Sequence, residues 1–329
     1  MGIHEAFKTT RRGIMLAALG AMMAGGLAAP AAAADKPTSI GLDWALYNPL
    51  SVVLKQKGWM EEEFAKDGLQ VRWQQSAGSN ISLGLLNSGQ VDFGSTAGAA
   101  ALMGKINGAK IKAVYSFSRP EWTALVARKD KGITKVADLK GKRVAAARGT
   151  DPHIFLIRAL AKAGLTDKDI QLVAMQHDNG RQALEAGDVD AWAGLDPLMA
   201  QSEMSGCCGL FYRAPEFNTF GILNVRQDFA DGNPALVTRV LGVYDKARKW
   251  ALENPAEVKA IMVAASGLPE AVIAKQLERT DLKMGALGDE QRSTITAAGN
   301  ALKEAGVITG SVDVVKTVDD LMAPNFFRK

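Results

Sequence analysis

Short apolar runs alternate with longer stretches of helical periodicity from Thr38 onward. Residues 38–42, 69–73, 91–94 and 111–117 predict strands, and the segments from Pro49 toward Lys66, at 81–87 and up to Asn107 predict helices. The first of these helices turns Val52, Val53, Leu54, Trp59 and Phe64 inward, and Ser88-Gly89 stops the second. The pattern restarts at Glu121. Strands at 122–127, 144–147, 170–175 and from Asp190 alternate with a short helix near 136–140 and helices at 154–163 and 180–186. Two runs of strand-helix-strand order predict an α/β fold of two lobes, each a mainly parallel sheet with helices on both faces. The remainder from Arg226 reads as helical at 233–254, 255–266, 269–278 and 289–305, with Asn233-Pro234 and Asn254-Pro255 marking helix starts. The expected division is 35–120 plus 226–329 for the first lobe and 121–225 for the second.

The first 34 residues read as an export signal, with Arg11 and Arg12 before an apolar run from Gly13 to Leu27 and Ala32-Ala33-Ala34 as a small-residue cleavage site. Thr10-Arg11-Arg12 also fits the twin-arginine pattern, so general secretion and twin-arginine export both stay open. The run is short of the ~20 residues of a spanning helix. A periplasmic, soluble mature protein is expected.

The chain of 329 residues with 47% hydrophobic content can bury a sizeable core. Half of its formal net charge of +4 lies in the leader (Lys8, Arg11 and Arg12 against Glu5), which leaves the rest near +2 and gives no nucleic-acid signature. The two cysteines, Cys207 and Cys208, are adjacent; they read as thiols in an apolar turn, the alternative being a strained vicinal disulfide. With so few cysteines and three scattered histidines, no metal-ligand cluster forms, and no cofactor is expected.

In such sheets ligands bind where strand-to-helix loops converge beyond the carboxyl ends of the strands. The loops at Ser76-Ala77-Gly78-Ser79-Asn80, Ser95-Thr96-Ala97-Gly98 and Gly149-Thr150-Asp151-Pro152-His153 offer hydroxyls, amides and backbone N–H groups. The last lies at a helix N-terminus, whose free donors and positive dipole end attract anions. No Gly-x-Ser-x-Gly elbow, His-Glu-x-x-His, P-loop or Gly-x-Gly-x-x-Gly follows a strand. An exported hydrolase would need a nucleophile-base-orienter set that is not seen, so binding without enzymatic activity is expected.

Four segments together resemble the alkanesulfonate, taurine and nitrate group of periplasmic binding proteins. They are 76–80 with 86–96, 136–144, Gly149 to Leu165, and Asp188-Val189-Asp190-Ala191-Trp192 with Asp196-Pro197. Their order is similar to that of the aliphatic-sulfonate binders in particular. The resemblance implies a two-lobed type II periplasmic binding protein fold, a small anionic solute such as a sulfonate, delivery to the permease subunits of an ABC importer, and action as a monomer. It also implies a site. Asn48, Ser76, Gly78, Asn80, Ser95 and Thr96 would line the first-lobe wall, and Gly149, Thr150 and His153 would form an anion cradle on the second lobe. Trp192 and Asp196 would stand on the neighbouring loop, and Arg119 and Trp122 where the chain crosses between lobes. Two positions depart from the family pattern: Thr150-Asp151-Pro152 replaces small hydroxyl residues, and Leu195 replaces an aromatic. The same scaffold carries nitrate, thiamine-precursor pyrimidines and aromatic carboxylates, which remain alternative solutes.

Overall fold

The computed structural model describes residues 37–327. The leader assigned to 1–34 lies outside the described residues. Eleven strands are β1 (Ser39–Trp44), β2 (Gln70–Gln75), β3 (Phe93–Ala97), β4 (Ile111–Pro120), β5 (Leu125–Arg128), β6 (Arg143–Ala146), β7 (Gln171–Ala174), β8 (Ala191–Ala193), β9 (Cys208–Tyr212), β10 (Gly221–Arg226) and β11 (Thr280–Asp281). Between the strands up to β10 run α1 (Pro49–Lys57), α2 (Trp59–Ala65), α3 (Ser79–Asn87), α4 (Gly98–Ile106), α5 (Asp151–Lys162), α6 (His177–Ala186) and α7 (Leu198–Met204). The rest is α8 (Gln227–Gly232), α9 (Pro234–Glu253), α10 (Pro255–Ser266), α11 (Glu270–Glu278), α12 (Asp289–Glu304) and α13 (Val314–Leu321).

The strands form a six-stranded sheet in the order β11-β4-β10-β3-β1-β2 and a five-stranded sheet in the order β7-β6-β8-β5-β9. The expected mainly parallel sheets are in fact mixed. β1 is parallel to β2 and β3, but β10 lies antiparallel between β3 and β4, and β5 is antiparallel to both β8 and β9. The cause is the long crossing between sheets: the chain leaves the first sheet through β4 and re-enters it as β10. By Gly221 it is back in the first sheet.

Each sheet is covered on both faces. Leu42, Phe93, Val225 and Tyr244 belong to the core under α1, α2, α9 and α10, and Leu102, Ile222, Ile295 and Val318 to the core under α4, α12 and α13. Phe155, Leu160 and Val144 fill one side of the second sheet, and Val126, Leu184, Trp192 and Met199 the other. α5 also lays Ile154 and Ile157 against Ala99, Ala298 and Leu302, so one apolar seam joins helices of both sheets. Both faces of β1 and β3 are covered, so Ile40 to Asp43 and Phe93 to Ala97 are all buried, the polar Asp43, Ser95 and Thr96 included.

Three local departures from expectation have simple causes. The single helix expected from Pro49 toward Lys66 is broken at Gly58, whose φ of 68° closes α1 in a left-handed cap. Ser95 and Thr96 are not in a loop but inside β3, whose every residue is buried. Cys208 opens the edge strand β9 rather than sitting in a turn.

Gly221, at the start of β10, meets the ring of Phe117, and a Cβ there would stand 2.6 Å from Ser118 Oγ as well. Gly221→Ala should therefore lower the unfolding free energy by about 1–3 kcal/mol, the usual range for overpacking. Urea unfolding checks this, and an unchanged midpoint would show that β4 can yield.

Candidate functional site

The ends of β1, β2 and β3 are tied by one buried carboxylate. Asp43 accepts hydrogen bonds from Ser95 N at 2.9 Å, Ser95 Oγ at 2.8 Å and Ser76 Oγ at 2.7 Å. Burial raises its pKa despite these bonds. Asn48 donates to Ser95 Oγ at 2.8 Å while its Oδ1 caps α1 through Ser51 N. Tyr47 donates its hydroxyl to Ser95 O at 2.7 Å and lies 3.1 Å from Ser76 Oγ. Asn48 and Ser95 are thus braces behind the wall. Ser76 and Tyr47 form its face.

α3 begins immediately after this face. Its first N–H groups, on Ser79 and Asn80, have no intrahelical acceptor, as at every helix start. Gly78 precedes them, and a Cβ there would lie 2.9 Å from Asn80 Oδ1 and 3.3 Å from His177 Nε2. Only glycine leaves that approach open.

The loop expected as an anion cradle at 149–153 carries a buried carboxylate of its own. Asp151, the first residue of α5, is buried and accepts from Trp122 Nε1 at 2.9 Å, Thr219 N at 3.2 Å and Thr219 Oγ1 at 2.9 Å. It accepts from these other segments and not from the N–H groups of α5, whose positive end its negative charge suits. Thr150 donates its hydroxyl to Ala147 O at 2.6 Å, and Pro152 has no N–H. Gly149 makes the turn with φ of 77°, beside Asn80. His153 lines neither the cavity beside α6 nor the gap next to it; burial and neighbouring Arg148 lower its pKa to about 4.

A cavity of about 100 Å³ opens between the two sheets instead beside α6, with Tyr47, Ser76 and Ala77 on one side and His177, Leu195 and Asp196 on the other. A smaller gap, which shares Tyr47 and Leu195 with it, has Ser79 on one side and Trp122, Thr150, Asp151 and Pro152 on the other. His177 heads α6, is 3% exposed, and neither ring nitrogen has a hydrogen-bond partner among the described residues. Burial lowers its pKa to about 4, so it is neutral near pH 7, with one donor and one acceptor nitrogen. Asp196 accepts from Ala200 N at 2.9 Å, and its Oδ2 lies 3.3 Å from Arg279 Nε. That second contact has ion-pair distance but poor hydrogen-bond alignment, for both atoms lack a hydrogen-bond partner. Burial outweighs Arg279 and raises the Asp196 pKa to about 7.

These shifts oppose one another in stability. The contribution of Asp196 is fully present below its unfolded value and is lost as pH rises through about 7. The contributions of His153 and His177 are present above 6.5 and lost as pH falls through about 4. Asp196→Asn removes only the first, so the variant should lose stability more steeply than its parent on acidification from pH 7 toward pH 4. Urea midpoints across that range test the sign; parallel profiles would contradict it.

Other expected site residues lie elsewhere. Thr96 neighbours Ser95 on a strand and so faces the opposite side of the sheet, where Oγ1 accepts from Asn224 Nδ2 at 2.8 Å. Arg119 has a side chain 60% exposed and pairs with Glu290 at 2.8 Å, on the outer side of the crossing. Trp192 is fully buried in the core of the second sheet, against Gly180. Tyr47 and His177 were not anticipated as site residues. The rule that singled out His153, a polar residue opening a helix after a strand, applies equally to His177 after β7. Among the described residues no group of three or more His, Cys, Asp or Glu side chains could hold a metal, and no helix is long and apolar enough to cross a membrane.

Two sheets joined by crossing strands, with polar loops and a cavity between them, define the two-lobed fold of periplasmic binding proteins. The comparisons agree. The chain is 26% identical over 297 residues to a Bacillus subtilis (strain 168) protein named as a candidate aliphatic sulfonates-binding protein, covering 89% of this chain and 88% of that one. It is 27% identical to the taurine-binding periplasmic protein of Escherichia coli (strain K12), over 59% of this chain and 62% of that one. Its structure resembles the alkanesulfonate-binding protein SsuA from Xanthomonas axonopodis pv. citri bound to MOPS, with a TM-score of 0.78 and 25% identity over 86% of this chain and 99% of that one. A family model described as NMT1/THI5 like matches residues 51–258, more than half of the sequence, and the chain belongs to that family. These relatives are named as binding proteins and not as enzymes.

Proposed function

We propose that this protein is the solute-binding component of an ABC importer, exported to the periplasm by its first 34 residues, and that it captures a small organosulfonate between its two lobes. Residues 35–120 with 226–329, and 121–225, are the proposed lobes, and the captured solute is handed to the permease subunits by the monomeric closed form. The observation that carries the reading is the reach of the likeness to a protein named for aliphatic sulfonates, 89% of this chain. The cavity chemistry supports it. The free N–H groups opening α3 and the His177 N–H are suited to sulfonate oxygens, and Leu46, Leu195 and Leu198 to a short hydrocarbon tail. Closing the lobes would strip water from the anion and replace it with these donors.

Native mass spectrometry of the freshly isolated protein tests the reading. A retained ligand whose fragments carry a sulfonate group supports it, and a retained pyrimidine or aromatic carboxylate contradicts it.

A further inference from the structure

Cys207 and Cys208 are the only cysteines in the chain, and they stand together at a place the solute site does not use. They follow α7 through Ser205 and Gly206, whose φ of 83° makes the turn into the edge strand β9. Their sulfur atoms are 2.7 Å apart. Cys208 is fully buried among Val126, Trp192 and Met199, whereas Cys207 is partly exposed. Ser205 spends its hydroxyl hydrogen on Ser202 O at 2.7 Å, so its 3.1 Å contact with Cys207 Sγ is one in which the thiol donates. Arg128, paired with β9 at Cys208, gives its guanidinium to Asp130 at 2.9 Å and to Glu185 O at 2.6 Å, and burial pushes the Cys208 thiol up to about 12. One accessible sulfur thus touches one sheltered sulfur, the arrangement of an attacking and a resolving thiol.

We propose that Cys207 and Cys208 are a reversible dithiol-disulfide site whose oxidant is an exchangeable disulfide, with Cys207 attacking and Cys208 resolving. In the first step the Cys207 thiolate forms a bond to one sulfur of the incoming disulfide, and the other sulfur leaves as a thiolate with the electron pair. In the second step the Cys208 sulfur attacks Cys207 Sγ, and its proton passes to the second sulfur of the external disulfide, which leaves as a thiol. Two protein thiols are oxidised and one external disulfide is reduced to two thiols. The Cα atoms of neighbouring residues are about 3.8 Å apart, below the usual disulfide span, so the ring is strained and readily reduced. Ring closure also pulls on the peptide whose carbonyl, Cys207 O, accepts from Lys129 N at 2.9 Å. The site is therefore an exchangeable redox centre and not a structural staple.

The test uses the full chain equilibrated with excess glutathione disulfide, quenched by alkylation and weighed intact. The parent protein should lose two hydrogens and carry neither alkyl groups nor glutathione, and dithiothreitol should restore two alkylatable thiols. Cys208→Ser should stop with one glutathione on Cys207, and Cys207→Ser should stay unreacted because Cys208 is sheltered. Two alkylatable thiols in the parent after equilibration, a stable glutathione adduct on it, or disulfide-linked dimers would each overturn the proposal. If a variant does not fold, the parent result alone decides.

Discussion

Replacing Asp151 by alanine should lower the unfolding free energy by about 3–5 kcal/mol, because buried donors left without an acceptor cost about 1–3 kcal/mol each. The donors are Trp122 Nε1, Thr219 N and Thr219 Oγ1. Thr219 Oγ1 in turn accepts from Ala99 N at 3.1 Å, at the start of α4, so the loss spreads from α5 through both crossing segments to the first sheet. Asp151→Asn keeps one acceptor oxygen and should cost less than the alanine variant. Urea unfolding with an unchanged slope is the check. A loss below about 1 kcal/mol, the scale of one ordinary net hydrogen bond, would mean that solvent reaches these groups.

His177→Ala should weaken capture of the solute by about 10–100-fold, the equivalent of one hydrogen bond to a charged group. Its effect on stability should be small by comparison, since the imidazole is buried with both nitrogens unpartnered and its removal orphans nothing. His153→Ala should leave affinity unchanged, because that ring lies off the cavity. Calorimetric titration of both variants separates the two histidines. Equal losses would return the anion to the α5 terminus, and no loss in either would remove histidine from the site.

The contrast between these histidines shows what local pattern carries. Helix ends were legible where their chemistry is local: Ser88-Gly89 after α3, Gly187 after α6, and the Asn-Pro pairs that start α9 and α10. β10 was not legible. It is buried along nearly its whole length, so it shows no alternation, and its partners Phe93–Ala97 lie more than a hundred residues earlier. The loops at the ends of the first-sheet strands marked the right edge for a site, and Ser76 and Gly78 are there. Thr96 was misplaced because a strand was taken for a loop, and adjacent strand residues face opposite ways. At the α5 terminus, Asp151 is spent on Trp122 and Thr219, at sequence separations of 29 and 68 residues. No local pattern records such a contact.

Titration calorimetry on the protein without its first 34 residues tests whether the cavity between Ser76 and His177 takes a small sulfonate. The panel is C2 to C8 alkanesulfonates and taurine, with nitrate, phthalate and a thiamine-precursor pyrimidine as competitors of other chemistry. Saturable binding of at least one short sulfonate, tightest in the panel and lost with His177→Ala, is the expected result. No heat with any sulfonate, or tighter binding of nitrate, phthalate or the pyrimidine, would contradict it.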